Sequence, residues 1–531
     1  MKAKDAAARL ALALALSALL AAADARAQGP SPPPTAQDIS GRYEGVAKTE
    51  AHGDIPIAVE VRQQNGAITG SMNTPLGDLS ITDGSFNGST LTLKVESYDD
   101  VGTITATVEG GKLVGEFSGF GEKGRLELKR TGPPSPVVDT RPVATLSAEK
   151  WREDLRYLAT ELPRRHKNAF HSVTREQFES AVADLDKKIP SMQSSDIVMG
   201  LSRIVAMIGD GHTFIEWGGL YPGVPLRLYW FGRELRVTET VEQYRRALGT
   251  RVVRIGGVDV AEVFRRDQPY IVQGESEGFV LSANAGAMTN PAHLHALGLV
   301  PDTTHAAYAF ADDRGRRFTL TLKATAPGEH LTWIDAARAT PLYRKRPDEP
   351  LWFEYLPDSQ TLYLNFAGYP RRPEFQKFSQ EFFDFADSHA VRRVVVDMRL
   401  NGGGDFSRGR DFIISKFKQR PALTARGHLF VIIGRWTFSA GMANASDFKN
   451  EFHAVMVGEP TGARPNGYQE NRAFALPNSH LSVSYSTQLY KFQEQDTPGI
   501  IPDKRIDPDW PSYKAGRDPV LEWILAQPVD K

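Results

Sequence analysis

The chain of 531 residues contains no cysteine. That excludes a disulfide framework, a thiol nucleophile and a thiolate metal site, so an exported protein of this composition must be held together by its cores alone. It also lacks an excess of charge of either sign, with 63 Lys and Arg against 64 Asp and Glu. Without a basic excess there is no electrostatic footprint for nucleic acid or for an anionic membrane surface. Long apolar runs are missing after Ala23, and no stable membrane span is expected beyond that point. Metal-ligand spacing is absent as well. The pair His293-x-His295, read as two residues on one strand face, has no third ligand in step, and there is no HExxH. No metal and no cofactor are therefore expected. Ser415-x-x-Lys418 matches the penicillin-binding signature by letters, but no Ser-Asp-Asn or Lys-Thr-Gly follows it.

The first 27 residues read as a signal peptide. Lys2, Lys4 and Arg9 precede the apolar run Leu10 to Ala23, and Ala25-Arg26-Ala27 offers small residues for cleavage before Gln28. Removing this stretch takes four basic and two acidic residues and leaves a net charge of −3. The expected destination is the bacterial periplasm or the exterior.

The remainder divides by pattern into a multidomain α+β chain. After a Pro-rich spacer (29–37), residues 38–131 alternate with period two between glycine turns. Examples are Ile57-Val59-Val61 before Asn65-Gly66 and Ile104-Ala106-Val108 before Gly110-Gly111. This predicts a small antiparallel β-barrel or sandwich with an accessory role. A second Pro-rich break, Gly132 to Pro142, leads to a helical segment over 145–217. There Thr174 and Gln177 form a capping box, and Ile197, Leu201, Ile204, Val205 and Ile208 fall at helical spacing before Gly209. Residues 224–330 read as β-rich, with "LGTRVVRIGGVDVAEVF" suggesting a peptide-binding module of the PDZ kind. From 350 to 515 strands and helices alternate, and the fully apolar Val394-Val395-Val396 implies a mostly parallel sheet covered on both faces. Ligands sit beyond the carboxyl ends of such strands. That rule places Asn401 to Asp405, Thr437 to Ala440 and Thr461 to Gly467 on one rim.

Acyl transfer needs a nucleophile, a base and donors for the developing oxyanion. Ser439 follows a buried strand and precedes the small residues Ala440, Gly441, Ala443 and Ala445. A serine that opens a helix has its neighbour's N–H and the positive helix end beside it; as a structural feature it serves equally well as a plain N-cap. Gly402, Gly403 and Gly404 leave backbone N–H groups uncovered, as an oxyanion hole or a tight turn would require.

The segments "VVVDMRLNGGGD", "TFSAGMANA", "GEPTG" and "GIIPD", in that order, resemble the serine peptidase family of the C-terminal processing (tail-specific) peptidases and the tricorn core. The similarity spans residues 145–515. It implies a ClpP/crotonase-like α/β catalytic domain and an endopeptidase that forms an acyl-enzyme on Ser439. It assigns the oxyanion hole to Ala440 N–H and a glycine of Gly402 and Gly403. The processing branch keeps a lysine base where this chain reads "GEPTGARPNGYQ", with Arg464, and arginine does not deprotonate near neutral pH. The tricorn-like branch takes its base from a histidine of the helical segment, which corresponds to His212 in "GDGHTFI". An ordinary histidine would give an acid limb at about pH 6 to 7. The resemblance implies Asp496, or its neighbour Glu494, as the acidic third member; Gly211 stands where tricorn-type sites keep a serine. The substrate expected is a peptide or protein. Two alternatives stay open: a catalytically silent ligand-binding protein of the same fold, like the retinoid-binding proteins of the eye, and a small-molecule esterase or amidase.

Overall fold

A computed structural model of the protein describes residues 38–49, 53–64, 67–74, 77–96, 101–119, 122–133, 146–326 and 328–528. Residues 1–27, read from the sequence as a signal peptide, the spacer 29–37, the Asn65-Gly66 turn and most of the break between Gly132 and Pro142 lie outside the described residues. The chain divides into two compact units, Met1–Ser135 and Pro136–Lys531.

In the first unit eight antiparallel strands between Gly41 and Gly132 form a closed barrel rather than a sandwich. Closure comes from the first and last strands, which pair along Arg42↔Gly132 to Thr49↔Gly124. The approach is close: a Cβ on Gly45 would lie 2.0 Å from the Glu127 carbonyl oxygen, so only glycine fits there. Along Val101–Glu109 exposed and buried residues alternate strictly, as the period of two requires. The inward side chains, among them Tyr43, Val59, Leu93, Ile104 and Leu128, make one buried cluster. The interior is a packed core.

The second unit begins with three helices, Ala148–Arg165, Arg175–Lys188 and Ser194–Ala206. Trp151, Leu155, Leu162, Phe178, Leu201 and Val205 interlock between them. The Thr174–Gln177 capping box forms in both directions. An antiparallel sheet follows, built on Leu226–Phe231, Glu234–Val241, Arg251–Ile255, His305–Ala311 and Arg317–Lys323. Besides the short helix Val260–Asp267, two helices, Glu277–Ala287 and Pro291–Ala296, interrupt the stretch read from sequence as β-rich. The longer one is at least partly covered at almost every residue, so no polar face marks its period. His293 and His295 lie on the shorter helix, not on a strand, and face different partners. The His293 Nε2 to Asp267 Oδ1 distance is 2.6 Å, and His295 Nδ1 lies 2.8 Å from Asp196 Oδ1.

The α/β part holds a six-stranded sheet in the order Leu351–Leu356, Thr361–Phe366, Arg393–Asp397, Leu429–Ile433, Val455–Gly458, Lys504–Arg505. The first pair is antiparallel and the remainder are parallel. Both faces are covered. Val394, Val396, Val431 and Ile433 pack with Phe375 and Phe382 of helix Arg372–Ser388, while Val395, Phe430 and Ile432 pack with Val520, Leu521 and Ile524. That double burial is why these strands are apolar without alternation. A hairpin, Asn466–Ala475 with Ser482–Lys491, takes the two-residue strand Phe214–Ile215 onto its edge through Val483↔Ile215 and Ser484↔Phe214.

Candidate active site

Helix Ala440–Phe452 starts immediately after Ser439, whose backbone has φ 48° and ψ −123°. A positive φ is costly for a residue with a Cβ. Gln360 and His453 also have positive φ, but with ψ of 41° and 36° they occupy the ordinary left-handed well; Ser439 does not. Its side chain makes no capping hydrogen bond, so the plain N-cap does not describe it. The turn is pinned from within: Thr437 Oγ1 donates to the Met398 carbonyl at 2.8 Å and accepts from Gly434 N–H at 3.0 Å.

Gly403 lies against the nucleophile candidate. A Cβ added to it would stand 2.7 Å from the Ser439 Cβ and 3.2 Å from its Oγ, and its φ of 115° suits only glycine. The buried Asn401 shapes this loop, donating from Nδ2 to the Phe366 carbonyl at 2.9 Å and accepting the Gly403 N–H on Oδ1 at 3.1 Å. The Asn401 carbonyl accepts the Phe438 N–H at 2.9 Å, which binds the glycine loop to the serine turn. Of the two glycines expected to face an oxyanion, Gly403 therefore spends its N–H inside the protein. Among the described residues no acceptor takes the N–H of Gly402 or of Ala440. The aspartate of "VVVDMRLNGGGD" is structural: Asp397 is buried and holds Arg399, whose guanidinium also forms a fork with Asp518 at 3.1 and 2.9 Å.

His212 is 6% exposed, and both of its ring nitrogens are buried without a hydrogen-bond partner. Burial pulls its pKa down to about 4, against the smaller opposing pull of the Asp210 charge. The imidazole is thus neutral at ordinary pH, and the expected range of 6 to 7 does not apply to it. Its ring stacks on Phe438, the residue before Ser439, with centroids 5.0 Å apart and planes at 28°. The strand after it is fixed to the hairpin, where Ser484 Oγ donates to the His212 carbonyl at 2.8 Å.

Beneath His212 sits Asp210, 3% exposed. Its Oδ1 accepts from Ser486 Oγ at 2.6 Å and from the His212 N–H at 3.2 Å, while Oδ2 lies 2.8 Å from His166 Nε2. Asn168 N–H donates to His166 Nδ1 at 3.0 Å, which leaves Nε2 as the nitrogen that donates to Asp210. Burial alone would raise the Asp210 carboxyl; the bonds from His166 and Ser486 outweigh it and hold the group below its usual range. Asp210 and the buried Glu275 are charged groups of the site that motif reading did not single out. The Asp-Gly-His run offered a signal for the first; nothing local marks Glu275, which lies 63 residues downstream of His212.

The residues expected as the third member are elsewhere. Asp496 is exposed and pairs with Arg464, Oδ1 to Nη2 at 2.9 Å, and Glu494 is exposed too. Neither bonds to the His212 ring, whose two nitrogens have no partner among the described residues. Gly211 owes its lack of a side chain to crowding: a Cβ there would come 2.6 Å from the Phe438 ring and 3.0 Å from Glu275. Among the described residues no group of three or more His, Asp and Glu is placed to hold a metal ion, and no helix is long and apolar enough to cross a membrane.

No protein-family model matches the sequence, and no curated protein matches it. Among solved structures the chain is similar to mature CPAF complexed with lactacystin, at 11% identity and a TM-score of 0.47, over 71% of this chain and 97% of that one. It is similar to the photosystem II D1 C-terminal processing protease at 13% identity and a TM-score of 0.34, over 67% and 93% of the two chains. To the tricorn protease it is similar at 12% identity and a TM-score of 0.35, over 91% of this chain and 46% of that one.

Proposed function

We propose that this chain is an exported serine peptidase of the tail-specific and tricorn kind, in which Ser439 attacks the peptide carbonyl and His212 takes its proton. The observation that carries the reading is the backbone of Ser439, held at φ 48° and ψ −123° at the start of a helix. Backbone strain of this kind costs about 1 to 3 kcal/mol, persists only where the surrounding structure over-determines it, and clusters at active sites. It turns the hydroxymethyl group out of the helix and against Gly403. The free N–H groups of Ala440 and Gly402 are the donors available to a tetrahedral oxyanion. A buried imidazole with unpaired nitrogens costs about 1 to 3 kcal/mol as a purely structural group, whereas a base has a use for a nitrogen left unpaired. One nitrogen receives the Ser439 proton, and the same group returns it to the leaving amine.

The sheet of residues 226–323 serves in this reading as a peptide-presenting module of the PDZ kind, and the six-stranded sheet as a ClpP/crotonase-like catalytic domain. Labelling of the mature protein with a fluorophosphonate, with mass spectrometry to locate the adduct, tests the assignment. An adduct on Ser439 that is lost in His212→Ala is the expected result; a folded protein with no adduct there overturns it. Turnover of peptides against simple esters separates a peptidase from an esterase. N-terminal sequencing that begins at or near Gln28 supports export, and Met1 on cytoplasmic protein refutes it.

A further inference from the structure

The segment Gly274 to Phe279 runs between the two halves of the site. A Cβ on Gly274 would fall 1.8 Å from the Gly209 carbonyl oxygen, so this backbone lies directly on the turn that carries His212. The next residue, Glu275, is 7% exposed. Its Oε1 accepts the N–H of Gly211 at 2.9 Å, and its Oε2 accepts the N–H of Arg464 at 2.8 Å. Ser276 N–H then donates to the Gly462 carbonyl at 3.2 Å, and Gly462 N–H donates to the Thr437 carbonyl at 3.0 Å, two residues before Ser439. Phe279 completes the arrangement by stacking on Phe438, centroids 5.3 Å apart, opposite the His212 stack.

We propose that Glu275 is a positioning residue for the Ser439–His212 pair, its ionised carboxylate tying the histidine turn to the loop that backs the serine. The proposal rests on the reading of Ser439 as nucleophile and His212 as base. Glu275 touches neither reacting atom; it acts through Gly211 N–H on one side and Arg464 N–H on the other. A misplacement of about 1 Å between nucleophile and base costs about 100-fold in rate, so a tie spanning the two carriers has a direct kinetic consequence.

Only a carboxylate serves both N–H groups. A protonated carboxyl has one carbonyl oxygen left as a full acceptor, and its O–H faces an N–H with nothing to accept it. The charged groups that act on the Glu275 carboxyl are Asp210 from the histidine turn and Arg464 from the other side. Burial pushes the Glu275 carboxyl up to about 7; the two N–H donors and the Arg464 guanidinium oppose this, and the Asp210 charge adds to it. The sign follows: above about pH 7 the tie is complete, and as pH falls through 7 it loses one strand. His212, held to about 4, is still neutral there. An acid limb near neutrality therefore belongs to Glu275 and not to the base.

The test uses the full mature chain. Peptide turnover and the rate of Ser439 labelling by fluorophosphonate are measured from about pH 5 to about pH 9 for the wild type and for Glu275→Gln, with folding of each followed by circular dichroism. The wild type should lose activity about tenfold per pH unit below a midpoint near 7. Glu275→Gln should be about 10- to 100-fold slower in kcat at high pH, with KM little changed and the limb near 7 gone. Hydrogen exchange of the wild type, corrected for intrinsic rates, needs no variant: peptides covering 208–214 and 461–467 should lose protection together as pH falls from about 8 to about 6. A folded Glu275→Gln that keeps both rate and limb overturns the proposal, as do exchange profiles of the two segments that do not change with pH. Failure of Ser439 to label at any pH defeats the peptidase reading instead, and the exchange result still decides whether the tie exists.

Discussion

The Phe438 ring is clasped between the His212 imidazole and the Phe279 ring, at centroid separations of 5.0 and 5.3 Å. Because Phe438 directly precedes Ser439, this stacking packs the histidine turn against the serine turn. It also accounts for the burial of His212 and thereby for its low pKa.

Replacing Ser439 by glycine and by alanine separates strain from chemistry. Both variants should be inactive. Glycine relieves the φ 48° backbone and alanine does not, so Ser439→Gly should unfold at higher denaturant, by about 1 kcal/mol relative to Ser439→Ala. Equal stabilities in urea titrations would show that the turn is not strained.

Gly403→Ala should lower kcat by about 100-fold or more with the protein still folded. The added methyl meets the Ser439 Cβ at 2.7 Å at a backbone φ of 115°, so the loop must shift at the point where it faces the nucleophile. Steady-state kinetics decide the matter, and a near-normal kcat would place the reaction elsewhere.

His212 makes stability depend on pH in a stated direction. Its folded pKa of about 4 lies below the unfolded value of 6.5. Its contribution is therefore present above 6.5 and is lost as pH falls towards 4, about 3 kcal/mol over the interval. His212→Phe keeps a ring against Phe438 but does not titrate. The stability of His212→Phe relative to the wild type should thus rise by about that amount on acidification, measured by chemical denaturation at several pH values.

Two aspartates should respond oppositely to removal. Asp496 is an exposed partner of Arg464, and Asp496→Ala should change activity by less than about threefold and stability by less than about 1 kcal/mol. Asp210→Ala strips the acceptor from His166, Ser486 and the His212 N–H and should cost about 3 kcal/mol or more. A dead Asp496→Ala beside an active Asp210→Ala would restore the surface carboxylate to the site.

The sequence by itself determined what local pattern can encode. Period-two alternation produced the barrel strands, because an inward side chain on every second residue is all a packed barrel needs. The unbroken valines of 394–396 announced a sheet buried on both sides, and the glycines of 402–404 with the small residues after Ser439 marked the rim. Tertiary structure alone decided how the pieces meet. Closure of the barrel depends on pairing residues 42–49 with 124–132, a contact between its first and last strands that no local window contains. His212 comes to stack on Phe438 where Phe214–Ile215 joins the edge of a hairpin near residue 484, and Glu275 reaches the backbone N–H groups of Gly211 and Arg464, which carry no residue identity. Asp496 carries the letter that a motif requires, but the surface guanidinium of Arg464 holds it by simple attraction of opposite charges. Sequence order specified which groups exist; long-range pairing and burial decided which of them are neighbours, with burial lowering the pKa of His212 and raising that of Glu275 while hydrogen bonds hold that of Asp210 down.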